Sequence, residues 1–349
     1  MRDIWGNMLG EGVGPASLKG AKDPLIYPSG VVGEGSVDVY VGNTDGEWFD
    51  FLSERNLSEV NFWKPGGGAF KALKEGDMFL FRLKAERGGL IAGGGFFVDA
   101  PVMTIDWAWR AFGPENGVGS MRDLNDRIWR YKSYEGRRDP NADVTCIILN
   151  DVFYFEDADR FGISDRWSRY IVSGKTFRGQ EAAALVDEVR LRLAGIGAGA
   201  TLSDADAVPV APPGVEIVSA KHRLGQGAFR TLVANAYQRR CAITGERSMP
   251  VLQAAHIQSF SEEGPNSVDN GILMRSDMHA LFDSGYLTID YDLMGESRIL
   301  VSDRLHDDFG NGKDYYPYHG RRLAVMPERR SLRPAKRYLD WHHENVFLG

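Results

Sequence analysis

Hydrophobic positions recur with a period of two over several short stretches of the first half of the chain, and with a helical period over others. SVDVYVG at 36–42 alternates as a strand, and TDGEWFDFLSERN turns into a short helix carrying Trp48, Phe49 and Leu52. Residues 59–63 form a second predicted strand, ending in Lys64, Pro65 and three glycines, a loop whose backbone can approach a ligand closely. After a turn at Glu75, Gly76 and Asp77 comes a strand at 78–83. LIAGGGFFVDAPV, beyond a second turn at 87–89, is another strand whose glycine run predicts bulging or tight curvature. Helices are expected near 105–112 and 120–131, and the apolar run 146–155 closes the set. Curved strands with helices at their edges predict a small open barrel.

QEAAALVDEVRLRL at 180–193 has helical periodicity through Ala184, Leu185, Val189 and Leu193 and is expected to cap this first region. GIGAGATLSDADAVPVAPPG, poor in aromatics and rich in Gly, Ala and Pro, marks a linker over 195–214. Beyond it Phe229, Leu232, Val233, Ala236 and Tyr237 line one face of an amphipathic helix that leaves Arg230 and Arg239 off the apolar stripe. Residues 286–291 and 298–301 are expected to pair as strands, and RYLDWHHENVF is a last helix packing through Leu339 and Trp341. The resulting division is an irregular arm at 1–35, a first domain at 36–194, the linker, and a second domain at 215–349.

A chain of 349 residues with 43% hydrophobic and 26% charged side chains has ordinary globular composition and room for two cores. No apolar run approaches a membrane span and the first residues lack a signal-peptide pattern, so the expectation is a cytoplasmic protein. Cys146 and Cys241 are far apart, give no disulfide framework, and are read as small buried residues. The net charge of −7 lies wholly before residue 215, because residues 215–349 hold 17 basic and 17 acidic side chains. Within that balanced half, Lys221, Arg223, Arg230, Arg239, Arg240 and Arg247 stand against Glu246 alone, and seven cations between Arg321 and Arg337 stand against Glu328. Arg230, Arg239, Arg240, Arg321 and Arg322 are therefore candidate phosphate contacts.

Chemistry concentrates between Cys241 and Asp290. An apolar run at 251–255 ends at His256, and the polar stretch 259–270, with Gly264 and Pro265, is a loop. Ser276 is a predicted helix N-cap, and Met278, Leu281 and Phe282 make the buried stripe of the helix that follows. His279 and Asp283, four residues apart, then share an adjacent face and can share one divalent metal. His222, His306, His319, His342 and His343 are read as structural.

Strand, histidine, loop with an asparagine, and helix with a second histidine is the ββα-metal arrangement, and here the sequence resembles the HNH endonuclease family. The matching blocks are CAITG from Cys241, AAHI ending at Ile257, NGILM from Asn270 and HALFDSG from His279. The resemblance implies phosphodiester hydrolysis with His256 as general base, Asn270 positioning its loop, and His279 holding Mg²⁺ or Mn²⁺. Many members carry an acidic residue or histidine immediately before the catalytic histidine, where this chain has Ala255; Asp283 is the expected replacement. The paired Cys-x-x-Cys motifs of zinc-bearing members are missing, so no structural zinc is expected.

TDGEWFDFL, VNFWKPGG, LKEGDMFLFRLK and GGGFF resemble the PUA-superfamily domains, EVE and SRA readers included, of modification-dependent restriction enzymes. The implied fold is α+β, a PUA-like curved β-barrel followed by the HNH domain. The implied activity is a homodimeric endonuclease that flips a modified cytosine out of double-stranded DNA into a pocket built from Trp48, Asn61, Trp63, Lys64 and Trp107. Two alternatives stand beside it: an HNH nuclease whose first domain reads sequence or structure, and a catalytically weak nucleic-acid-binding adaptor, which Ala255 favours.

Overall fold

In the computed structural model, alternating apolar side chains of the first half build an eight-stranded sheet. The structure describes residues 38–132, 138–194, 224–262, 264–292 and 294–349; the arm at 1–35, the linker at 195–214, and Lys221, His222 and Arg223 lie outside the described residues. The first half runs β1 (Val39–Thr44), α1 (Gly46–Ser53), β2 (Val60–Lys64), β3 (Met78–Leu83), β4 (Leu90–Asp99), β5 (Val102–Thr104), α2 (Ile105–Phe112), α3 (Met121–Lys132), β6 (Asp143–Tyr154), β7 (Phe161–Gly162), β8 (Gly174–Phe177) and α4 (Gly179–Leu193). Asp45 caps α1 by accepting from the Trp48 amide at 3.0 Å, and Thr104 caps α2 by accepting from Trp107 at 3.2 Å.

The strands are ordered β2-β6-β4-β3-β1-β8, with β5 on β6 and β7 on β4. β1 and β3 pair in parallel and the remaining neighbours are antiparallel. The glycine run sits where β4 threads between β3 and β6: a Cβ at Gly93 would stand 2.3 Å from the Phe153 carbonyl oxygen, and one at Gly94 2.6 Å from that of Phe79. The register of β4 slips beside this run, between Gly94 and Phe96.

The expected barrel is corrected to an open mixed sheet, since β2 and β8 end the described strand order without pairing to each other. The edge of β2 is taken by the turn at Gly113–Asn116 instead. There Asn61 Nδ2 donates to Asn116 Oδ1 at 2.9 Å and Trp63 Nε1 donates to the Asn116 carbonyl at 3.0 Å.

The second half runs α5 (Gln226–Ala236), β9 (Leu252–His256), β10 (Gly271–Arg275), α6 (Ser276–Asp283), β11 (Leu287–Tyr291), β12 (Ser297–Val301), α7 (Arg304–Phe309) and α8 (Lys336–Asn345). β9 and β10 form an antiparallel hairpin with His256 opposite Gly271 and Ala255 opposite Ile272, and β11 and β12 form another. The N-cap of α6 is Arg275, not the expected Ser276, which is its first helical residue; Arg275 is anchored by a two-pronged ion pair to Asp277 at 2.6 Å. α5 packs on α2, β9 and β10, so one continuous apolar core joins the sheet, through Phe112 and Phe229, to the hairpin. Among the described residues no helix is long and apolar enough to cross a membrane.

Candidate active site

His256 stands at the end of β9, where the hairpin opens into the loop 257–270. Its ring lies flat on Phe229 of α5, with centroids 3.9 Å apart and planes 8° from parallel. Its Nε2 is 2.8 Å from Asn266 Oδ1, and the Asn266 amide nitrogen donates to the Leu224 carbonyl at 2.7 Å. Burial lowers the His256 pKa below the ordinary imidazole value; the Asn266 bond and Asp283 oppose that, while His279 and Arg230 add to it. The ring is therefore neutral near pH 7 and able to accept a proton.

Asn270 is fully buried, and its side chain ties the loop to itself. Oδ1 accepts from the Gln258 amide at 2.9 Å, and Nδ2 donates to the carbonyls of Gln258 and Pro265, each at 2.9 Å. The Ile257 amide donates to the Asn270 carbonyl at 3.0 Å, so the segment directly after His256 is held on both sides.

On α6, His279 Nδ1 is 2.7 Å from Gln253 Oε1, and His279 Nε2 is 3.2 Å from Asp283 Oδ2. With the amide oxygen of Gln253 accepting Nδ1–H, the Nε2 lone pair faces a carboxylate oxygen. One imidazole nitrogen and one carboxylate oxygen thus face each other across one turn of α6, where they could hold a cation.

Residues 241–290 match the HNH endonuclease family. They form an HNH endonuclease domain. No curated protein matches the chain. Among solved structures, a ZmASCH mutant protein from Zymomonas mobilis is similar at 12% identity and a TM-score of 0.32, over 43% of this chain and 96% of that one.

The donor set of the HNH domain fits a hard divalent cation that keeps open positions. His279 and Asp283 supply one imidazole nitrogen and one carboxylate oxygen, a small set suited to an ion that retains water and takes phosphate oxygens. No third His, Cys, Asp or Glu joins them among the described residues. Ala255 is fully buried between the hairpin and the core, so its position offers no donor. Cys241 is buried and unoxidised, accepting from the amides of Thr244 and Arg275 at 3.4 and 3.3 Å, which leaves it a packing residue. His342, read as structural, is buried beneath α6: it stacks on Phe282 at 3.7 Å, bonds to Thr288 Oγ1 and the Phe282 carbonyl, and burial lowers its pKa to about 4.

Of the expected phosphate-binding arginines, only Arg321 is exposed with a side chain that makes no hydrogen bond or ion pair among the described residues; its backbone bonds to Tyr318 and Ile299. Arg322 is exposed and pairs with Glu296 at 3.1 Å. Arg230, although exposed, reaches back to the Ala111 carbonyl at 3.3 Å, and Arg239 donates to the Val102 carbonyl at 2.7 Å. Arg240 is half-buried with its Nε turned to the Gly245 carbonyl. Arg230 of α5 and Arg239, three residues beyond it, thus hold this segment against the sheet region.

The expected base-reading pocket is corrected as well. Trp48, Trp63 and Trp107 are 3%, 8% and 9% exposed and Asn61 is fully buried, so all four belong to the packed core. Trp48 meets Phe62 and Phe81 edge-on and closes against Gly117, and Asn61 Nδ2 bonds to Asn116 and to Cys146 Sγ. Lys64 alone is partly open, 5.8 Å from the Phe70 ring centre. Aromatics at strand and helix ends serve the core as readily as a ligand platform, and period and spacing do not separate the two uses.

Sequence reading also missed residues that touch the site. Asn266 and Gln253 are polar residues in a loop and on an exposed strand face, with no periodicity to mark them. Glu59 falls in the predicted strand at 59–63, yet the residue is buried and its carboxylate reaches the start of α5. The sequence signal for it was the pair Gly225 and Gly227, whose missing side chains make the space it occupies.

Proposed function

We propose that the chain is a divalent-metal-dependent endonuclease acting on double-stranded DNA, with His256 as its general base. The observation that carries this is a neutral, immobilised imidazole on the same hairpin-and-helix unit as the converging pair His279 and Asp283. His256 takes the proton of the attacking water, and Asn270 keeps the loop beside it in place. Mg²⁺ or Mn²⁺ bound at His279 and Asp283 would supply the positive charge that stabilises the scissile phosphate and the leaving oxygen. Exposed Arg321 adds a phosphate contact. The test is nicking of plasmid DNA by the purified protein with Mg²⁺, Mn²⁺ or a chelator. His256→Ala should lose at least the ~10²–10⁴-fold that a general base contributes while still binding DNA; wild-type rates in that variant would end the assignment.

The finer reading is that the substrate carries modified cytosine and that two copies of the chain cut the two strands. What supports a reader in the acidic first half is an open cleft of about 510 Å³ lined by Pro65, Gly66, Trp129, Tyr131 and Lys132. Trp129 and Tyr131 give it aromatic faces on which an unstacked base can lie, with Lys132 beside them. Digestion of matched duplexes bearing cytosine, 5-methylcytosine, 5-hydroxymethylcytosine or its glucosylated form tests the reading, and equal cleavage of all four would leave a reader of sequence or structure.

A further inference from the structure

α5 belongs to the nuclease half, yet its first turn is seated by a residue of the sheet half. Glu59, in the residue before β2, places Oε1 2.8 Å from the Gly227 amide and Oε2 3.0 Å from the Ala228 amide. Those two N–H groups have no partner within the helix, and a carboxylate satisfies both while complementing the positive end of the helix dipole. The fit leaves no room for side chains: a Cβ at Gly225 would meet Glu59 Oε2 at 2.2 Å, and one at Gly227 would meet Phe112 at 2.4 Å and Glu59 Oε1 at 2.8 Å. The Arg230 and Arg239 bonds to carbonyls of the sheet half extend the grip along the helix and just beyond it.

Two groups that fix His256 hang from this helix. Phe229, one residue beyond Ala228, carries the stacked imidazole, and Leu224, immediately before the N-cap Gly225, offers the carbonyl that holds Asn266. A carbonyl only accepts, so the Asn266 amide nitrogen must face Leu224 and its oxygen must face His256. An oxygen only accepts, so His256 Nε2 must carry the proton. The lone pair is left on Nδ1.

We propose that Asn266 is a positioning residue that fixes His256 as the Nε2–H tautomer, leaving Nδ1 as the basic nitrogen, and that Glu59 secures the Leu224 carbonyl on which Asn266 depends. The sheet half thereby sets the state of the nuclease's base through α5, independently of any DNA it binds. The proposal rests on His256 being the base, and its test separates the two ideas.

The full chain is labelled with ¹⁵N and the His256 ring nitrogens are observed by long-range proton–nitrogen correlation at about pH 8, where Glu59, whose pKa burial raises to about 7, is ionised. The wild type should show a protonated Nε2 and an unprotonated Nδ1. Asn266→Ala should give a mixture of tautomers and lower kcat with KM unchanged, by about the 10–100-fold that loss of an orienting partner costs a metal-bound histidine. Glu59→Gln, which keeps one acceptor oxygen, should give a smaller loss in the same direction, and Glu59→Ala a larger one. If Glu59→Ala fails to fold, the Gln variant carries the comparison. A protonated Nδ1 in the wild type, or an unchanged tautomer and kcat in folded Asn266→Ala and Glu59→Gln, overturns the relay. His256→Ala run alongside shows whether the base assignment itself stands, and the ring signals report on the relay even if it does not.

Discussion

Asn270 is the residue of the site whose contribution can be worked out most directly, because all three of its polar contacts go to backbone groups of one loop. Asn270→Ala removes the acceptor of the Gln258 amide and the donor to two carbonyls while opening a void in a fully buried position. An orphaned buried polar group costs about 1–3 kcal/mol, and these lie close enough to solvent for the lower end to apply. Three of them give a destabilisation of about 3 kcal/mol. Asn270→Asp is the sharper perturbation. It has nearly the same shape and keeps the bond from the Gln258 amide, but turns a carboxylate oxygen toward the carbonyls of Gln258 and Pro265. It should destabilise at least as much as Ala, because like partial charges replace two hydrogen bonds. Urea denaturation measures both variants, and plasmid nicking under conditions where they remain folded measures the effect on His256. If Asn270→Asp matches the wild type in stability, the amide is not clamping the loop and its placement beside His256 needs another explanation.

Three further outcomes follow from the same geometry. His279→Ala and Asp283→Ala should each lower activity in a way that raised Mg²⁺ or Mn²⁺ partly restores, since each leaves the other donor in place; calorimetric titration reads the metal affinity, and no change for Asp283→Ala would make Asp283 only a helix-end residue. The acid limb of kcat against pH should lie below the ordinary imidazole value, because burial lowers the His256 pKa and the ring stays a competent base to lower pH; a limb above that value would contradict the burial argument. Folding stability should fall as pH drops from about 6.5 toward 4: the unfolded chain protonates His342 first while the folded one, with a pKa of about 4, does not, and the lost stability approaches roughly 3 kcal/mol. His342→Asn should remove that part of the slope in a series of denaturation curves.

The nuclease half was legible because its constraints are local. An apolar run ending at His256, a loop, and a helix presenting His279 and Asp283 four residues apart follow from the apolar run, turn residues and helical spacing, while the partner strand β10 does not. Helix periodicity also located α5 and α2, and the terminal helix was expected near where α8 lies. What escaped were contacts across long separations. Glu59 and Gly227 are 168 positions apart, and nothing in VNFWK or GQGAFR announces that one seats the other. Asn266 is only ten residues from His256, yet its role depends on Leu224, 42 positions earlier, to orient the amide. The glycine run predicts bulging or tight curvature, and the register of β4 does slip beside it, but nothing local shows that the same glycines let β4 pass close to β3 and β6 in an open sheet.

The misplaced tryptophans bear on how the two halves act together. Trp48, Trp63 and Trp107 are not an open platform but core residues of the sheet half, whose α2 packs on α5. Phe112 of α2 lies against Gly227, the Ala111 carbonyl accepts from Arg230, and the Val102 carbonyl accepts from Arg239 just beyond the helix, so with Glu59 the sheet half holds α5 and its C-terminal turn at four points. A flexible tether would deliver a nuclease to DNA without touching its chemistry. Direct packing does more, because displacing α5 relative to the hairpin moves Phe229 and Leu224, the two supports of His256, at once. Part of what the acidic sheet half contributes is the seat of a helix, and the carboxylate of Glu59 is the group that makes the seat fit.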